Sequence, residues 1–129
     1  MSTPVWIDPV ALQLLHKESL AEHGGLSGMR DKGLLMSALA RPQNLFAYEE
    51  ITDISRLAAA YAYGITKNHP FTDGNKRAAF LAIGLFLALN GYSLQVEQTE
   101  AVNTILALAA GDLNESDLAA WIAKHSVSL

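Results

Sequence analysis

His69-Pro70-Phe71-Thr72-Asp73-Gly74-Asn75-Lys76-Arg77 runs straight into Ala78-Ala79-Phe80-Leu81-Ala82-Ile83-Gly84-Leu85-Phe86-Leu87-Ala88-Leu89-Asn90-Gly91, and that junction decides the fold. The second stretch is apolar nearly all round, so it reads as a helix from Gly74 or Asn75 to Asn90 with Gly91 as its stop. Its length, about 16 residues or roughly 24 Å, suits the middle of a small domain. The run Ala78 to Leu89 is about 12 residues, short of the roughly 20 that a membrane span needs, and it follows Lys76 and Arg77 directly. A buried core helix is the better reading.

Working outward, Asp8-Pro9 starts a helix with a capping carboxylate followed by proline at the first helical position, and Gly24-Gly25 ends it. A glycine-punctuated loop, Gly24 to Gly33, comes next. Asp31 caps a short helix through Leu34, Leu35, Ala38 and Leu39 that Pro42 is expected to stop. Pro42 to Glu50 has no period and reads as a loop. A third helix starts near Asp53, passes through Leu57, Ala58, Tyr61, Ala62 and Ile65, and must finish before Pro70. Beyond Gly91, Tyr92 to Val96 alternates weakly, enough for one short strand. Thr99 to Ala110, stopped by Gly111, and Glu115 to His125, behind an Asn114 cap, complete the chain. No repeat, linker or low-complexity tract interrupts it. The expected architecture is all-α, a compact bundle of about six helices around a central apolar helix, over one domain of residues 1–129.

Composition agrees. Of 129 residues 50% are apolar and 17% charged, which fits a packed core and not a disordered chain. There is no cysteine, so disulfides and thiolate metal sites are excluded, in keeping with a reducing cytoplasm. Met1 to Val10 lacks the basic start and apolar stretch of a secretory leader. Net charge is −4, where a nucleic-acid binder usually carries a basic excess, so no direct nucleic-acid binding is expected. Phosphate chemistry therefore needs a local concentration of cations.

His69 to Arg77 is the place that offers one. The first N–H groups of a helix have no internal partner and carry partial positive charge. Gly74, lacking a β-carbon, lets an anion approach them, and Lys76 and Arg77 add two charges beside a ready phosphate site. Asp73 beside bare phosphates is unfavourable, but it makes sense with Mg²⁺ between them. His69 is a candidate general base for a substrate hydroxyl, and Phe71 anchors the loop. The parts describe transfer of a phosphorus-containing group to an alcohol. Plainer readings stand beside these. Asp73 alone is an ordinary helix cap, His69 alone a structural histidine, and Lys76 with Arg77 a solvated first turn, although cations there oppose the helix dipole.

The segment resembles the signature of the Fic/Doc superfamily, His-x-Phe-x-Asp/Glu-Gly-Asn followed by Gly-Arg or Lys-Arg. Adenylylating Fic enzymes continue Gly-Asn-Gly-Arg-x-x-Arg; here Lys76 replaces the glycine and Phe80 the second arginine, as in the death-on-curing (Doc) branch. Gly24-Gly25-Leu26-Ser27-Gly28-Met29-Arg30-Asp31, Tyr48-Glu49-Glu50-Ile51-Thr52-Asp53 and Phe86-Leu87-Ala88-Leu89-Asn90-Gly91 extend the likeness over nearly the whole chain. The resemblance implies His69 as the base, Asp73 as the Mg²⁺ ligand, Gly74 and Asn75 lining the anion hole, and Lys76 and Arg77 holding ATP phosphates. It implies that Lys76 fills space left open in adenylylating relatives, so ATP binds reversed with its γ-phosphate toward the acceptor. The implied protein is the toxin of a type II toxin–antitoxin pair, phosphorylating a threonine of elongation factor Tu and neutralised by a flexible C-terminal segment of its antitoxin. An adenylylating Fic enzyme and a catalytically silent binding module are the alternatives.

The remaining polar and aromatic residues read mostly as structure. His16 and His23 lie seven apart with no carboxylate to complete a metal triad, so both are taken as structural or solvated. Tyr61 and Tyr63 read as core, and Trp6 and Trp121 as terminal packing. Arg30 and Arg41 are candidates for touching a protein substrate, which is expected to align along Gly24–Gly33 or Pro42–Glu50.

Overall fold

The computed structural model describes residues 3–129; of the opening stretch read against a leader, residues 1–2 lie outside it. The elements run α1 (Pro9–His23), α2 (Lys32–Glu49), α3 (Ile54–Asn68), α4 (Asn75–Leu89), β1 (Tyr92–Leu94), α5 (Gln98–Ala110), α6 (Glu115–His125) and β2 (Ser126–Ser128). The described residues thus form a bundle of six helices with one small antiparallel sheet. Four starts follow the capping rule. The side chains of Asp8, Asp31, Asp53 and Asn114 accept from Val10, Leu34, Ser55 and Asp117 N–H, satisfying amides that a helix leaves open.

The core is built on α3 and α4 together, with α3 packed against α2, α4 and α6. Leu57 to Ala62 and Ile65 of α3, and Ala78, Ala79, Ala82, Ile83, Phe86 and Leu87 of α4, are all buried. Trp6 closes one end, its ring 5.9 Å from Phe86 and 5.7 Å from Phe46, in keeping with the packing role expected of it. Tyr61 is fully buried and its hydroxyl accepts from Ile7 N–H at 3.1 Å; burial pushes the phenol up to about 12, which the Ile7 bond only partly offsets. Among the described residues no helix is long and apolar enough to cross a membrane.

One sequence reading is overturned and a second is extended. Pro42 does not stop α2, and Pro42–Glu50 is not a loop: the helix runs through the proline to Glu49. Proline deletes the N–H that would bond to Ala38 O. At that turn Gly64 of α3 comes so near that a Cβ on it would meet Ala38 Cα, Cβ and O at 3.1, 3.2 and 3.3 Å. Pro42 itself is buried, so packing of α2 on α3 holds a helix that local rules would break. Second, the strand expected over Tyr92–Val96 forms over Tyr92–Leu94 and pairs with Ser126–Ser128, which sequence periodicity did not reveal. The register is Tyr92↔Ser128, Ser93↔Val127 and Leu94↔Ser126.

Candidate active site

His69 ends α3 as its C-cap, in the left-handed conformation (φ 47°, ψ 57°), and Pro70 bars further helix. Such a conformation strains a side chain with a β-carbon, so its surroundings must hold it. They do so from the Gly24–Gly33 loop. Arg30 Nε donates to His69 O at 2.7 Å and Nη2 to Asn68 O at 2.8 Å, placing a cation on the negative end of α3. The Arg30 and Asp31 N–H groups both reach Pro70 O, at 2.8 and 3.0 Å, and Thr72 N–H reaches Gly28 O at 3.1 Å. Arg30 is therefore a clamp on the loop that carries His69.

The inner side of the loop is fixed by Phe71 and Asn75, both buried. Asn75 Oδ1 accepts from Phe71 N–H at 2.9 Å and its Nδ2 donates to Phe71 O at 3.0 Å. That pairing leaves the second Nδ2 hydrogen toward His69 Nδ1, 3.4 Å away. The exposed His69 ring can accept that hydrogen when Nδ1 is unprotonated.

Asp73 does not cap α4 in the usual way: Gly74 is the N-cap, at φ 73°, and makes no side-chain cap bond. Asp73 Oδ1 accepts from Gly74 N–H at 2.8 Å and Oδ2 from Leu26 N–H at 3.2 Å. The side chain thus turns to the glycine-rich loop while staying exposed. A carboxylate has about four acceptor positions, so two remain free. Among the described residues no group of three or more His, Cys, Asp or Glu gathers to hold a metal. A single carboxylate with free lone pairs fits Mg²⁺, which keeps most of its waters and takes the rest of its ligands from phosphate.

Because Gly74 N–H is taken by Asp73, the open amides at the α4 mouth are those of Asn75, Lys76 and Arg77, for which the described residues supply no acceptor. Lys76 is exposed and Arg77 half-buried; neither joins an ion pair among the described residues. Both rim a cavity of about 210 Å³ floored by Phe80, Ala101 and Ile105, between α4 and α5. Phe80 makes this side of the mouth apolar. The mouth can hold an anion at three amides and two cations, with an imidazole on the adjoining turn.

His16 was not expected here. It is buried on α1, donates from Nε2 to Asp73 O at 2.8 Å, and stacks on Phe71 with centroids 3.9 Å apart. Its place in the stripe Leu12, His16, Leu20 was the available signal, since a histidine on a buried stripe needs a polar partner. His23, by contrast, bonds locally to Ser19 O. Arg41 pairs with Glu115 and covers the Tyr63 ring 4.8 Å away.

The Fic/DOC family matches residues 6–87. The chain belongs to that family. It is 35% identical over 113 residues to a protein of Escherichia phage P1 named "Protein kinase doc", covering 88% of this chain and 89% of the phage protein. It is 41% identical over 78 residues to a "Toxin Doc" of Mycolicibacterium smegmatis, covering 57% of this chain and 58% of that toxin.

Proposed function

We propose that this Fic/DOC chain is the toxin of a toxin–antitoxin pair, acting in the cytoplasm. It transfers the γ-phosphoryl group of ATP to a Ser or Thr hydroxyl of a translation protein, elongation factor Tu being the expected target. The observation that carries this reading is Lys76, exposed and unpaired beside three open amides at the mouth of α4. In this reading the three amides, with Lys76 and Arg77, neutralise the terminal phosphates and hold them in line with the acceptor. His69 takes the hydroxyl proton, the acceptor oxygen forms its bond to the γ-phosphorus, and the bond from that phosphorus to the β–γ bridging oxygen breaks, releasing ADP. Asp73 offers its free lone pairs to Mg²⁺, which when bound screens charge between the carboxylate and the phosphates. Gly74 keeps the approach clear, and Asn75 holds the loop and presents its amide. The names printed for the phage and mycobacterial relatives support kinase and toxin roles. Neutralisation would come from a peptide segment of the cognate antitoxin.

The test uses cell lysate and ATP labelled at either the α or the γ phosphorus. Transfer of γ label alone, lost in His69→Ala with the fold intact, is the expected result. Transfer of α label would mean adenylylation, and no transfer beside a working control would mean a binding module. Either outcome rejects the phosphoryl reading.

A further inference from the structure

We propose that His16 is a positioning residue of the α4 mouth: its Nε2–H locks the Asp73–Gly74 peptide against flipping, and so sets where the Asp73 carboxylate points. The inference rests on the preceding reading for its consequence, but its geometry stands apart from it. A peptide unit is planar and trans, so its carbonyl and N–H point in opposite directions. His16 Nε2 holds Asp73 O at 2.8 Å, which turns Gly74 N–H the other way, onto Asp73 Oδ1 at 2.8 Å. With Oδ1 thus anchored, Oδ2 takes Leu26 N–H at 3.2 Å. One donor on α1 therefore orders a carboxylate 57 residues further along the chain.

Without that donor only the bond from Gly74 N–H to the Asp73 carboxylate resists the flip. Gly74 sits at φ 73°, and glycine passes between conformations that other residues find strained. No side chain caps the helix here. The pairing of the two residues is also steric: a Cβ on Gly74 would lie 3.1 Å from His16 Nε2, so the ring occupies the space the glycine leaves. Packing alone does not explain a histidine at this position. A phenylalanine would stack on Phe71 equally well without bringing ring nitrogens into the core. The ring's one hydrogen bond goes to the loop of the site and not to its own helix, unlike that of His23.

Two variants separate donor from ring. His16→Phe keeps the stack and removes the N–H, while His16→Gln keeps an N–H donor and removes the ring. The readouts are Gly74 amide exchange by ¹⁵N NMR, calorimetric binding of a non-hydrolysable ATP analogue with and without Mg²⁺, and KM and kcat. In His16→Phe, amide exchange at Gly74 is expected to quicken about tenfold, the size expected for one lost hydrogen bond. Mg²⁺-dependent nucleotide affinity falls by a similar factor, while affinity without Mg²⁺ and the melting temperature stay close to those of the unaltered protein. His16→Gln recovers most of both. Unchanged Gly74 exchange and Mg²⁺ dependence in His16→Phe would overturn the proposal. So would equal losses in both variants that follow melting temperature. If the unaltered protein transfers no phosphoryl group, the functional reading fails, yet Gly74 exchange still decides the role of His16.

Discussion

Replacing Gly64 and Gly84 by alanine, one at a time, tests the α2–α3 packing that holds a proline inside a helix. Both glycines lie within helices, so local propensity predicts the same gain for each, about 0.5–1 kcal/mol. The surroundings split them. A Cβ at Gly84 meets nothing within 4 Å, so the gain stands alone. A Cβ at Gly64 meets Ala38 Cα, Cβ and O at 3.1–3.3 Å, none of them the tip of a flexible chain. Forcing a methyl into packed space costs roughly 1–3 kcal/mol, so the net for Gly64→Ala runs from about zero to a loss of roughly 2.5 kcal/mol. With about 3–4 °C of melting temperature per kcal/mol at this chain length, Gly84→Ala rises by roughly 2–4 °C, while Gly64→Ala gains nothing and falls by up to roughly 10 °C. Circular dichroism during heating and urea unfolding measures both, and an unchanged urea slope shows that the same cooperative unit is melting. If Gly64→Ala is stabilised as much as Gly84→Ala, the close approach at Ala38 is wrong and the account of Pro42 goes with it.

Three further outcomes are expected. Tyr61, raised to about 12 in the folded protein, holds its proton between about pH 10 and 12 where the unfolded phenol has lost it. Stability therefore falls with rising pH across that window, by about 2–3 kcal/mol in all. Urea unfolding at about pH 9 and 11 shows this fall in the unaltered protein and a smaller one in Tyr61→Phe; equal falls would contradict the assignment. Arg30→Ala, which removes both bonds to the end of α3, should cost about 1–2 kcal/mol of stability and lower kcat by more than that loss explains. A kcat unchanged at a temperature where the variant is folded would refute the clamp. Glu115→Gln, which loses charge partners for Arg41 and Arg56 and so unties α6 from α2 and α3, should cost about 1–2 kcal/mol by chemical unfolding, with label transfer retained.

What the sequence disclosed follows the range of the forces involved. Caps at Asp8, Asp31, Asp53 and Asn114 act within three residues, so each is legible in a short window and each is found. The stretch from His69 to Arg77 is local too, and its oddity, cations at the positive end of a helix, is visible without a structure. Pro42 was misread because its tolerance depends on Gly64, a helix away. β2 was missed because three residues acquire strand character only from a partner, here β1. His16 and Arg30 were underrated for the same reason, their partners lying 57 and 38–39 residues off. Nothing in a window around His16 names Asp73.

A ligand gains most where backbone groups lack partners. Buried or loop backbone groups in a folded protein nearly always find partners. Between His69 and Gly74 most do: carbonyls of His69, Pro70, Phe71 and Asp73 accept from Arg30, Asp31, Asn75 and His16, and the Thr72 and Gly74 amides donate to Gly28 and Asp73. At the next three residues no amide has an acceptor among the described residues, and an exposed lysine and a half-buried arginine stand there. A loop tied down from two distant segments fixes the direction of those amides before any ligand arrives. An anion entering there meets donors already aimed, and little ordering remains to offset the interaction.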